Sequence, residues 1–204
     1  MLSRIWKYWD LILIAVVLIG LNALPYRPST DPLFQDPSVS YSAHFSLLYG
    51  THVRSGVVRH RPGWSRIALG SIASQRIYID DLEHSRTILV VPNKHQYMQV
   101  PRDDHPFFYL QECFGVVRVH WAKRIGETTY EGIAAIRYRS KGRNHDITYW
   151  TTRDGLLLRF KGQATDNGLT FPIDYRLSGI EFKPQETRFF APPPGYKRVS
   201  KIDG

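Results

Sequence analysis

Between Phe171 and Ser178 every second residue is apolar: Phe171, Ile173, Tyr175 and Leu177 alternate with Pro172, Asp174, Arg176 and Ser178. A repeat of two is the repeat of a strand, so the apolar residues share one face and the polar ones the other. Coiled into a helix, the same residues would be spread around the whole circumference. The pattern recurs along the chain. Leu156, Leu158 and Phe160 alternate with Leu157, Arg159 and Lys161. Ala134, Ile136 and Tyr138 alternate with Ala135, Arg137 and Arg139, and in Val117–Trp121 the apolar residues oppose Arg118 and His120. Turn formers separate these runs at Pro62-Gly63, Asp80-Asp81, Pro92-Asn93, Asp154-Gly155 and Asp166-Asn167-Gly168. Asp-Gly and Asn-Gly supply the positive φ angles of tight hairpins. The short spacing predicts antiparallel neighbours, because parallel ones need crossovers of about a dozen residues or more.

One segment reads as a helix instead. Residues 105–114 (HPFFYLQECF) have Asp104 as an N-cap, Pro106 in the first turn and Gly115 at the exit. Phe107, Leu110 and Phe114 fall on one face at helical spacing, so this helix must lie on something apolar, most simply the hollow of the sheet. The expected fold is mainly β, of the α+β class. It is a curved antiparallel sheet or half-open β-barrel with one or two helices in its concavity, preceded by an N-terminal membrane helix.

That last element rests on Leu11–Leu21 (LILIAVVLIGL), which follows Arg4 and Lys7. A signal-peptide core needs about 7–15 apolar residues and a spanning helix about 20. Leu11–Leu24 is within the first range. Leu21, however, is bulky where a cleavage site before residue 24 prefers a small residue. Trp6, Tyr8, Trp9 and Tyr26 flank the run as interfacial aromatics do. An uncleaved anchor and a cleaved signal both stay open. The expected organisation is an anchor or signal over 1–24, a proline-rich linker over 25–40, a β domain over 41–198 and a tail over 199–204. The tail's forerunner, Ala191–Tyr196, reads as an extended terminator.

The part beyond residue 24, about 180 residues, is enough for one domain with its own core. Cys113 is the only cysteine, so no intrachain disulfide forms. The formal charge is +9, and arginine supplies 19 of the 27 basic residues. Beside a membrane segment, the anionic neighbours that arginine suits are lipid headgroups and envelope glycans. The stretch Arg59-His60-Arg61-Pro62-Gly63-Trp64-Ser65-Arg66 interleaves cations with an aromatic. Arg59, Arg61, Trp64 and Arg66 are therefore candidates for contact with the membrane surface, against the simpler reading of an exposed hairpin. The export segment argues against nucleic acid.

No zinc-binding His-Glu-x-x-His, nucleophile elbow or phosphate-cradling glycine loop is present in the sequence. Asp80, Asp81, Glu83 and His84 form the densest acidic-histidine group, but adjacent turn residues seldom converge on one ion. Asp103, Asp104 and His105 are explained by helix capping. No catalytic residue, metal ligand or cofactor is assigned. The constructive signal is aromatic. Trp121, Tyr138, Phe160 and Tyr175 would line the apolar face of the sheet, with Phe107 and Phe108 on the helix as a lid. Such a lining can enclose a cavity, or sheet and helix can fill each other.

An ordered set of segments carries a family resemblance. It runs through Gly56-Val57-Val58-Arg59, Arg76-Ile77-Tyr78-Ile79-Asp80, Val91-Pro92-Asn93-Lys94-His95-Gln96-Tyr97 and Tyr130-Glu131-Gly132. It continues through Tyr149–Leu156 with its Asp-Gly turn and ends with Phe189 through Pro194-Gly195-Tyr196. Across residues 45–198 the chain resembles the periplasmic lipoprotein-carrier superfamily with the LolA/LolB-like fold. The resemblance implies a half-open barrel with helices in a hollow that takes acyl chains. This chain departs from it by lacking a lipid-attachment cysteine and a helix before the first strand.

The functional expectation is a non-enzymatic, membrane-anchored domain facing the periplasm from the inner membrane and binding an apolar or lipid-linked ligand. One alternative is an interaction module for another envelope protein. Another is a soluble periplasmic carrier released by signal cleavage. A tether of about 14 residues would reach roughly 43 Å at about 3.1 Å per residue.

Overall fold

The computed structural model describes residues 37–202, apart from 72, 73, 85, 101–121 and 167. The expected membrane helix, most of the linker, and the helix at 105–114 with Phe107 and Phe108 lie outside the described residues, as does Trp121. All strands lie in the compact unit Asp31–Gly204. The first six are β1 (Tyr41–Tyr49), β2 (His52–Arg61), β3 (Trp64–Leu69), β4 (Arg76–Asp81), β5 (Arg86–Val91) and β6 (Gln96–Val100). The second six are β7 (Lys123–Tyr130), β8 (Ile133–Gly142), β9 (His145–Thr151), β10 (Leu157–Asp166), β11 (Leu169–Phe182) and β12 (Lys197–Arg198). They form one curved, open sheet in the order β12-β6-β5-β4-β3-β2-β1-β11-β10-β9-β8-β7. No α-helix occurs among the described residues, and 3-10 turns stand at Pro92–Lys94 and Thr187–Phe190. None of the described helical segments is long and apolar enough to cross a membrane.

The alternation read in the sequence is present where one face is buried. In β11, Ile173, Tyr175 and Leu177 are buried and Arg176 is exposed. Leu156, Leu158 and Phe160 are likewise buried while Lys161 is exposed. In β8 the expected face is only partly right, for Ala134 is exposed and Ala135 is buried. Four of the five turns join strands as read. Asp80 and Asp81 instead end β4, and the turn follows them. A two-residue hairpin joins β7 to β8 through Glu131 (φ 48°) and Gly132 (φ 81°). Two successive positive φ values match the twist of the flanking strands, which is why glycine stands second.

Two cores lie on opposite faces of the sheet. Phe45, Val58, Ile67, Ile147, Tyr149, Phe160 and Leu177 belong to the larger, in the hollow. Ala68, Ile77, Ile79, Val90 and Phe190 form the smaller. Ile67 and Ala68 are neighbours in β3 and point to opposite sides, so this strand is covered on both faces.

The second cover comes from the C-terminal residues. After β11, beside β1 in the middle of the sheet, the backbone crosses the outer face to the far edge and adds β12 to β6 in parallel. Lys197 N–H donates to His95 O (2.9 Å) and Val199 N–H to Tyr97 O (2.9 Å). Residues 191–196 are thus part of a strap, which corrects both their reading as a simple terminator and the expectation of a purely antiparallel sheet.

Close backbone approach explains one residue in the centre of the sheet. A Cβ added at Gly162 in β10 would lie 2.0 Å from Asp146 O and 2.7 Å from Ile147 Cα in β9. Gly162→Ala must push these strands apart and should cost about 1–3 kcal/mol. Urea unfolding should show a lower midpoint at unchanged slope.

Candidate functional site

The hollow of the C-terminal half is organised by one row of side chains directly opposite each other. Tyr138 in β8 pairs with Tyr149 in β9, Tyr149 with Phe160 in β10, and Phe160 with Tyr175 in β11. Directly paired residues project to the same face, so all four face the hollow. The Phe160 and Tyr175 rings stack at 5.4 Å and 16°, and Tyr149 meets Phe160 at 6.2 Å and 46°. Three of the residues expected to line the sheet, Tyr138, Phe160 and Tyr175, are therefore brought onto one row. Tyr149 was not singled out in the sequence. It sits within Tyr149–Leu156, a segment conspicuous for its turn, although Ile147, Tyr149 and Thr151 alternate as buried residues.

The row is packed. Tyr149 and Phe160 are 1% exposed and Tyr175 is 6% exposed. Burial drives the ionisation of the Tyr175 hydroxyl well above its ordinary range, with the Tyr41 and Tyr130 hydroxyls adding to the effect. These rings are the solid filling of the half-barrel. Open space lies beside them.

That space arises because β10 leaves β11 early. Their pairing ends at Arg159 opposite Arg176, whereas β11 continues to Phe182 paired, among the described residues, with β1 alone. The β9–β10 turn occupies the vacated side. Thr152 closes this turn, its N–H donating to Leu156 O (2.9 Å) and its Oγ1 accepting from Leu156 N–H (3.1 Å). From the sheet edge, Tyr130 Oη reaches over and donates to Leu177 O at 2.8 Å. A groove of about 480 Å³ lies between these elements. Its apolar wall is Ile133, Ala134, Ala135, Ile136 and Phe182, and its polar side is Glu127, Thr128, Thr152, Arg153 and Asp154. Phe182 is 50% exposed, so apolar surface is left to cover. The groove was not legible in the sequence, since its wall joins residues of β8 to the end of β11.

Arg59, Arg61, Trp64 and Arg66 do come together, beneath the strap. Arg59 donates to Gln185 Oε1 (3.3 Å) and lies 4.3 Å from the Phe189 ring centroid. Arg61 donates to Thr187 Oγ1 (3.0 Å) and lies over Phe190 (4.9 Å) and Trp64 (5.4 Å). Arg66 is opposite Arg59 in the neighbouring strand, and burial together with that second cation lowers its pKa. The sequence signal of alternating arginine and tryptophan thus marks a clasp within the chain.

Two polar clusters have structural partners. Burial alone would raise the Asp81 carboxyl, but hydrogen bonds from Arg86 and His84 outweigh it and hold the pKa at about 2. Asp80 accepts from Thr87 Oγ1 at 2.7 Å. Among the described residues no three His, Cys, Asp or Glu side chains are placed to hold a metal ion. In the hollow, Ser140 Oγ and His145 Nε2 are 2.8 Å apart. The adjacent carboxylate, Asp146, is taken by Arg139, so no described acid orients this histidine as a base would need.

No family model matches the chain, and no curated protein matches it. Solved structures do. An uncharacterized conserved protein from Thermus thermophilus is similar over 83% of this chain and 94% of its own, at 12% identity and a TM-score of 0.52. MucB, solved in complex with MucA(peri), is similar over 84% of this chain at 14% identity and a TM-score of 0.52. The chain spans 60% of that MucB chain. Identities this low concern the fold alone. That fold is a LolA-like half-barrel, as the sequence resemblance implied.

Two outcomes follow from the geometry. Tyr130→Phe removes the tie to Leu177 O and should cost about 1 kcal/mol in urea unfolding. Asp81, held below its unfolded value of about 4, stabilises the fold above that pH and loses this contribution as pH falls through about 2. Asp81→Asn should lower stability at neutral pH and flatten the fall between about pH 4 and pH 2 in acid-unfolding curves.

Proposed function

We propose that this chain is a non-enzymatic binding domain held on the outer side of the cytoplasmic membrane, and that it takes an apolar or lipid-linked ligand. The groove between β7–β8 and Phe182 carries this reading. Its volume of about 480 Å³ is within the range of roughly 300–1,000 Å³ usual for small-molecule sites. An apolar wall with carboxylates and an arginine at one side suits a molecule with a hydrocarbon body and a polar end. None of the four row residues lines this groove, and Tyr138 is the only partly buried member of the row. The Leu11–Leu21 run and its basic, aromatic flanks support membrane attachment.

A protein partner is the second reading. It is favoured by β7, which among the described residues is an edge strand with β8 as its only neighbour in the sheet. Its outer hydrogen-bonding groups can take an added strand from another chain. MucB, which shares the fold, was solved with MucA(peri).

The test is mass spectrometry of the full chain extracted from its native membrane. A co-purifying lipid is expected with the parent protein. It should be lost in Ala134→Trp, which fills the groove from an exposed position and should leave the melting temperature unchanged. A parent protein that carries no lipid overturns the ligand reading, and a single dominant crosslinked protein in intact cells would replace it with the partner reading.

A further inference from the structure

We infer that the outer face of β8–β11 is a docking surface for an anionic phospholipid bilayer. The inference rests on the membrane-held reading above and names the surface that would meet the lipid. Strand register sets out this face. Arg137, Trp150, Arg159 and Arg176 form one row across β8, β9, β10 and β11. A parallel row carries Lys123, Arg139, Thr148 and Lys161. Among the described residues, the carboxylates of this face, Asp146 and Asp174, are both engaged. Asp146 accepts from Arg139 Nε (2.8 Å) and an Arg139 terminal nitrogen (2.7 Å). Asp174 accepts from Arg159 in the same two-pronged way, at 3.1 and 2.8 Å. Among the described residues, Arg137, Lys161 and Arg176 have no carboxylate partner, and the Nε of Arg137 is buried without a hydrogen bond.

Two features go beyond a generally basic surface. Lys123 is directly opposite Arg139, and Arg159 directly opposite Arg176. Like charges at opposed positions weaken a sheet, and a strand face optimised for stability alone would alternate their signs. Trp150 sits among these cations, with the Arg159 guanidinium 5.5 Å from its ring centroid. Tryptophan with arginine is the pairing that lodges at headgroup depth. In the other arginine-rich stretch, Arg59 and Arg61 are engaged by the strap.

The test uses the full chain with Cys113→Ser, reconstituted into nanodiscs of phosphatidylcholine alone or mixed with phosphatidylglycerol. An environment-sensitive fluorophore is placed at Gln163→Cys on this face, or at Glu83→Cys beyond β4 as the control. The Gln163 label should leave water only when phosphatidylglycerol is present, and added salt should reverse this. The Glu83 label should not respond. Lys161→Gln or Arg176→Gln should each weaken docking about fivefold. Arg176→Gln should melt no lower than the parent, because it relieves the opposition to Arg159. Equal signals in both lipids, an equal response at Glu83, or full docking by the Gln variants overturns the inference. Groove lipid measured on the same samples keeps the two ideas apart. Its loss without loss of docking overturns the ligand reading only, and its retention without docking overturns this one only.

Discussion

The early parting of β10 from β11 governs the C-terminal half of the molecule. Had the ladder continued past Arg159 and Arg176, Leu177 O would face a neighbouring strand. No place would be left for Tyr130 to tie the edge strand β7 to β11, and Phe182 would be flanked by a second strand. A bulge marks the parting, for β10 shifts register against β9 between Leu157 and Arg159. An extra residue there bends the strand and tightens its twist. One local irregularity thus curls the sheet, leaves a carbonyl to be satisfied and opens a groove.

The N-terminal half solves a different problem. Strand β3 is buried on both faces, by the main core and by the smaller core beneath the strap, and in β4 Tyr78 is buried on one face and Ile77 and Ile79 on the other. Phe189 and Phe190 supply the apolar cover, while Arg59 and Arg61 hold it through hydrogen bonds and ring contacts. Their alkyl stems and flat guanidinium groups cover apolar surface that a compact ammonium would not.

These two solutions account for how much was legible in the sequence. Alternation was plain in β10 and β11, where one face is buried and the other carries Arg159, Lys161 and Arg176. It was faint in β4 and β5, where Ile77, Tyr78 and Ile79 are buried in succession. A strand covered on both sides carries no period-two signal. The aromatic row was largely readable, because register follows from alternation and hairpins. Tyr149 was missed beside a more conspicuous turn. The groove and the clasp were not readable, since Phe182 meets β8, and Gln185 meets Arg59, only through the curvature of the sheet and the path of the strap.

The strap also imposes an order on assembly. Its strand β12 pairs with β6, about a hundred positions earlier in the chain, and contacts of such separation form late. Synthesis delivers these residues after every other strand of the sheet, so the outer face around Ile77, Ile79 and Val90 must wait uncovered until the strap is free. A sheet left without its strap would present that apolar face permanently, in a form chaperones and proteases recognise. The strap residues therefore report that the other strands of the sheet have been made.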